Sequence, residues 1–97
     1  MSEPLPMRVH VIVEGRVQGV GFRAFVADQA NRLGVKGWVR NRWNGTVEVV
    51  AEGEHENLEK LIAALREGPR VSFVENLNLE WQAATGEFHQ FSMRSSL

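Results

Sequence analysis

Three glycines and two arginines crowd into GRVQGVGFR, residues 15–23, where the hydrophobic run VHVIV gives way to helical spacing. Glycines let successive backbone N–H groups turn toward one point, and an anion held there also feels the positive end of a following helix. Arg23, at the start of that helix, offers two donors in a fork that matches phosphoryl oxygens. Recognition of a phosphoryl group is the chemistry these residue types support. The familiar phosphate motifs themselves fit poorly. GVGFRA, residues 19–24, satisfies G-x-G-x-x-G/A, but the following strand ends in Asn-Arg-Trp-Asn with no acid for a ribose, and a hairpin stands where a second crossover helix belongs. The Lys-Ser/Thr pair of a P-loop is absent as well. A plain connection between strand and helix explains the glycines alone; the arginine at the helix start shifts the balance toward an anion site.

The elements that must position this loop follow from hydrophobic spacing. Val9, Val11 and Val13 alternate within residues 8–14, the period of a half-buried strand. From Phe22 the apolar positions fall at 22, 25, 26, 30 and 33, one face of a helix, and Gly34 suits the residue just past its end. Val35, Val39, Val47, Val49 and Ala51 read as a hairpin turning at Asn44-Gly45. Leu58, Leu61, Ile62 and Leu65 form a second helical face, with Glu54 and Glu56 early and Gly68-Pro69 as a stop. VSFVENLNLEW, residues 71–81, is a fourth strand in which Glu75 falls in phase with the apolar set, so a bulge is expected near Val74. Residues 88–94 supply a short fifth strand, and residues 1–6 a loose tail. The order βαββαβ plus one strand predicts an α+β, ferredoxin-like split βαβ fold: an antiparallel sheet with two helices on one face, as a single domain over residues 1–97.

That topology brings a second residue to the loop. A crossover through the first helix makes the first two strands parallel, so the loop at 15–23 and Asn41 emerge at one sheet edge. Hairpin parity decides which way Asn41 faces. If Val39 shares a face with Val47 and Val49, paired numbers must sum to an even value, which excludes a two-residue turn and requires the three-residue loop Trp43-Asn44-Gly45 with Gly45 left-handed. Asn41 then lies on the helix-covered side. By residue type alone, an asparagine there commonly just satisfies backbone near a turn.

Composition removes other chemistries. The 97 residues contain no cysteine, which excludes disulfides, thiolate metal sites and cysteine nucleophiles. No apolar run approaches the roughly 20 residues of a membrane span and no signal-like segment opens the chain, so a cytoplasmic protein without membrane partners is expected. The formal net charge of −1 argues against a general nucleic-acid coat. Charge is nonetheless uneven: residues 8–42 hold seven Lys or Arg against two acids, a local +5. As single residues these are ordinary surface charges; together they let the first half host an anion.

GRVQGVGFR at 15–23 and KGWVRN at 36–41, followed by NGTVEV at 44–49, resemble in order and spacing the two signature segments of the acylphosphatase family. The likeness runs from about Arg8 to the C-terminus. It implies metal- and cofactor-independent hydrolysis of the carboxyl-phosphate bond of acyl phosphates, giving a carboxylate and inorganic phosphate. Carried over residue by residue, it implies that Gln18, Gly19, Val20, Gly21, Phe22 and Arg23 hold the phosphoryl group and that Asn41 positions the attacking water. A small-molecule acyl phosphate is the expected partner of a monomer, with inorganic phosphate as product and inhibitor. The chain departs from the family pattern at Trp43-Asn44, where small or acidic residues are common, and in ending Ser95-Ser96-Leu97 without an aromatic.

Such a sparse site suits the reaction. The leaving carboxylate has a conjugate acid of pKa about 4.3 and departs at neutral pH without a general acid. Phosphoryl transfer passes through a loose transition state served mainly by positioning and electrostatics. No evident base exists for the water, since His10, His55 and His89 read as surface or packing residues, so the bound phosphate itself is expected to take the proton. Two rivals use the same fold, a small-ligand regulatory module and an RNA-binding sheet. The third strand, GTVEVVAE, is acidic and lacks an RNP1-like run, and Trp38, Trp43 and Trp81 are expected in the core or on the sheet. A third reading, a domain handling carbamoyl phosphate within a larger maturation protein, fits the chain's short length poorly.

Overall fold

Alternating valines build the centre of a five-stranded sheet. The computed structural model describes residues 5–96, so residues 1–4 of the expected tail, and Leu97, lie outside the described residues. β1 (Met7–Arg16), β2 (Lys36–Asn41), β3 (Val47–Gly53), β4 (Phe73–Ala83) and β5 (Phe91–Arg94) are joined through α1 (Phe22–Leu33) and α2 (His55–Glu67). Their order across the sheet is β4-β1-β3-β2-β5. Val9, Val11 and Val13 face Ala51, Val49 and Val47 across the β1/β3 ladder, and Val39 faces Val49 across β2/β3. All seven are fully buried. They share one cluster with Phe22, Val26 and Ala30 of α1 and Leu58, Leu61, Ile62 and Leu65 of α2, so both helices cover the same face. Each of the Val, Leu, Ile and Phe side chains among them contributes about 1.5–3 kcal/mol on burial. This is the expected split βαβ fold, with its helical faces as the spacing predicts. Among the described residues no helix is long and apolar enough to cross a membrane.

The later strands depart in detail. β4 starts at Phe73, two residues after the expected Val71, and extends to Ala83. Its bulge is present: Glu14 faces Asn76 whereas Gly15 faces Val74, leaving Glu75 as the extra residue. The strands approach so closely there that a Cβ on Gly15 would lie 2.1 Å from the Phe73 carbonyl oxygen. The bulge turns Val74 toward the core and leaves Phe73 62% exposed. β5 begins at Phe91, three residues after the expected start, and pairs parallel to β2, so the otherwise antiparallel sheet has one parallel edge. The cause is the route of residues 84–90, which carry the chain from the β4 edge to the opposite one. Glu52 pins that crossing: its carboxylate accepts from Arg8 Nε at 2.7 Å, from the backbone N–H groups of Thr85 and Gly86 at 2.9 and 3.0 Å, and from the Thr85 hydroxyl at 3.0 Å.

Candidate active site

β1 and β2 run in the same direction on either side of β3, so both end at one edge of the sheet. Val13 faces Val47, and Val47 faces Asn41, which sets Asn41 in one row with two buried valines on the helix-covered side. The turn has the three-residue form that parity requires. Arg42 N–H donates to the Thr46 carbonyl at 2.9 Å, Gly45 N–H donates to the Arg42 carbonyl at 3.1 Å, and Gly45 has φ of 89°. The Asn44 carboxamide oxygen accepts from Thr46 N–H and hydroxyl at 3.1 and 2.7 Å, which closes the turn.

A cavity of about 220 Å³ opens at this edge, with Gly19, Gly21, Arg23, Asn41 and Met93 in its wall. Gly19 has φ of 72° and Gly21 of 77°, while Val20 between them has negative φ. Alternation of this kind is the backbone pattern by which successive N–H groups turn to one side in an anion nest. A Cβ at either glycine would meet nothing within 4 Å, so backbone conformation, not crowding, calls for glycine there. The nest runs directly into α1, whose N-cap Gly21 provides no side-chain cap and whose first turn has no acid. The leading N–H groups and the positive end of the helix are therefore left for a ligand.

The loop residues divide by role. Phe22 is 1% exposed and Val20 packs against the core, so both anchor the loop and have only backbone to offer a ligand. Gln18 does not line the cavity. Its Nε2 donates to the Arg42 carbonyl at 2.7 Å and the Thr46 carbonyl at 2.8 Å, which ties the loop to the β2/β3 turn. Arg23 is half-buried, and its Nη1 donates to the Arg94 carbonyl at 3.0 Å. Of the seven cations in residues 8–42, Arg8, Arg32 and Arg40 pair with acids, whereas among the described residues Arg23 has no acidic partner. The Asn41 carboxamide makes no hydrogen bond to another described residue, which leaves its donor and acceptor open. Sequence reasoning missed two contributors, Met93 and the Arg94 carbonyl, both on β5; no spacing signal announces which edge β5 will join.

No histidine lines the cavity. His10 lies on the open face of the sheet, its Nε2 2.6 Å from Glu48. His55 packs beside Trp81 with ring centroids 4.8 Å apart, and His89 is exposed just before β5. Burial alone would push the Glu48 and Glu52 carboxyls up. Hydrogen bonds from His10 and Arg40 to Glu48, and from Thr85, Arg8 and Gly86 to Glu52, outweigh it and hold both below the ordinary 4.5. Among the described residues no three His, Asp or Glu side chains converge in a way that could hold a metal ion. A larger hollow of about 450 Å³ lies at the far end of the sheet beside Lys36, Glu52 and Gly86, but the Glu52 carboxylate in its wall is already committed to Arg8, Thr85 and Gly86. Of the tryptophans, Trp81 packs on the core and Trp38 on the open sheet face; Trp43, 87% exposed at the turn, packs in neither. It is the apex residue of a three-residue loop and has nothing to pack against.

The acylphosphatase family model matches residues 9–93. The chain is 52% identical to an acylphosphatase of Pelotomaculum thermopropionicum over 86 residues, 89% of this chain and 94% of that protein. It is 50% identical to an acylphosphatase of Methylococcus capsulatus with the same coverage. The crystal structure of acylphosphatase from Bacillus subtilis superposes with a TM-score of 0.88 at 38% identity, covering 91% of this chain and 98% of that one.

Proposed function

The chain belongs to the acylphosphatase family and hydrolyses acyl phosphates; from that premise we propose that the 19–22 backbone and Arg23 hold the phosphoryl group while Asn41 orients the attacking water. Supporting this reading is one convergence: the nest, the unpaired guanidinium and the unbonded carboxamide border the same cavity of about 220 Å³. The N–H groups and Arg23 take the equatorial oxygens and stabilise the charge that spreads over them as the bond to the carboxylate loosens. Asn41 accepts one water proton as a hydrogen bond and aims the oxygen at phosphorus, but it does not titrate and so is not the base. The proton passes to a phosphoryl oxygen as the new P–O bond forms. The carboxylate leaves as an anion with a conjugate acid of pKa about 4.3, so neither a metal nor a general acid is needed to expel it.

We further read residues 1–97 as one domain that acts as a monomer and retains affinity for its inorganic phosphate product. The deciding assay is phosphate release from a simple acyl phosphate, run with and without chelator and with a phosphate monoester as control. Release from the acyl phosphate alone, unchanged by chelator, is expected. Loss of activity with chelator overturns metal independence, and equal cleavage of the monoester overturns the claim that leaving-group acidity replaces an acid.

A further inference from the structure

The open face of the sheet, opposite the helices, carries an ordered row that ends at the active-site arginine. Glu48 accepts from Arg40 Nε at 2.7 Å and is paired with His10 on its other oxygen. The Arg40 guanidinium lies 4.8 Å from the centre of the Trp38 ring, and the Arg94 guanidinium lies 4.8 Å from the same ring. Arg94 pairs with Arg40 across the β2/β5 ladder. Its backbone carbonyl, in turn, accepts the hydrogen bond from Arg23 Nη1 at 3.0 Å.

Burial does not explain how that carbonyl is held. β5 is four residues long at the sheet edge, and only Phe91, at the end away from Arg94, is anchored in the core. Met93 is 54% exposed, and Arg94, Ser95 and Ser96 are all exposed. A strand end with so little buried surface frays readily. Beyond the short ladder and the neighbouring α1, the side-chain restraint on its far end is the stack of Arg94 on Trp38. Two like-charged guanidinium groups side by side repel; the ring face attracts both, and Glu48 neutralises one.

We infer that Trp38 and Arg94 are positioning residues for turnover: their cation–π contact fixes the end of β5, and through the Arg94 carbonyl it sets the direction of the Arg23 guanidinium. The inference rests on the reading of Arg23 as the phosphoryl ligand. Neither side chain touches the substrate, so each acts only through Arg23.

The test is a set of variants read by kcat/KM for a simple acyl phosphate and by the Kd of inorganic phosphate. Arg94→Ala keeps the carbonyl and removes the stack; it should lower kcat/KM about fivefold and weaken phosphate by a similar factor. Trp38→Leu should do the same, and Trp38→Phe, which retains a ring face, should restore most of the loss. The factor should persist when Arg94→Ala is combined with Asn41→Ala and vanish when it is combined with Arg23→Ala. A purely structural role would give the same factor in both backgrounds, and that result overturns the inference. So does wild-type kcat/KM in Arg94→Ala when Arg23→Ala is crippled. If Arg23→Ala itself is active, the reading of the site fails instead.

Discussion

Gln18 reaches across to Arg42, its side-chain nitrogen donating to that residue's carbonyl at 2.7 Å, and so locks the glycine-rich loop to the hairpin that presents Asn41. The resemblance of 15–23 to a signature segment implies a phosphate ligand at this position; the geometry makes its side chain a strut between two halves of the site. Gln18→Ala takes one of two donors from each of the Arg42 and Thr46 carbonyls, which keep their backbone partners in the turn, and should cost about 1–2 kcal/mol of stability, lowering Tm by about 4–16 °C. Thermal unfolding followed by circular dichroism measures it. A Tm unchanged within about 1 °C would show that water replaces the strut at no cost.

Arg23→Ala should lower kcat at least ~10²-fold, by analogy with loss of one oxyanion donor, and should weaken phosphate binding while leaving the fold intact. Arg23→Lys should recover little, because a point charge does not reproduce the fork. Steady-state kinetics on both variants decide the matter. Turnover of the alanine variant within about threefold of wild type would remove the residue from the mechanism.

Asn41→Ala should slow turnover strongly and leave phosphate affinity nearly unchanged. Asn41→Asp should be more damaging than its small change in shape suggests, since it brings a negative charge up to the phosphoryl oxygens, and the defect should deepen as pH rises through the new carboxyl's pKa. Measuring kcat and phosphate Kd separately is the discriminating step: equal losses in both would make Asn41 a phosphate ligand and end the water-positioning role.

Inorganic phosphate should inhibit competitively and raise Tm, because a nest shaped for a phosphoryl group also accepts the product. At 100 times Kd the gain is about 2.7 kcal/mol. Calorimetry at saturating phosphate checks this, with Arg23→Ala expected to show no shift.

Glu52 gives the fold a predictable acid limit. Its carboxyl sits below 4.5 when folded and returns to that ordinary value on unfolding, so the unfolded chain binds the extra proton first. The stabilisation is complete above 4.5 and is lost as pH falls through the lower, folded value. Glu52→Gln should therefore cost about 2 kcal/mol at pH 7 and progressively less in acid. Denaturant unfolding of both proteins between pH 7 and pH 3 should show the gap closing; a gap that widens in acid is incompatible with this account.

Period-two valines and the helical faces at 22–33 and 58–65 made the layers legible, because each buried side is written as a repeat. Hairpin parity went further and oriented Asn41, since a pleated strand admits only two faces. The bulge near Val74 was legible because a charge, Glu75, fell in phase with the apolar set, but which neighbour turned inward was not: Val74 and Phe73 are equally apolar, and the ladder to Gly15 chose between them. The parallel pairing of β5 with β2 was hidden for a different reason. It depends on where residues 84–90 are pinned, a contact between Glu52 and backbone N–H groups that carries no sequence signature. With β5 went the Arg94 carbonyl and the whole open-face row.

The hydrogen bond from Arg23 to Arg94 spans 71 residues of chain. During synthesis the glycine-rich loop, α1, the hairpin and Asn41 all leave the ribosome well before β5 does, at rates of about 5–20 residues per second. For those seconds the growing chain carries a glycine nest and an arginine with nothing to aim it. On the proposed reading of Arg23, the contact that directs its guanidinium is thus made only once β5 has emerged, after every other described element is already available.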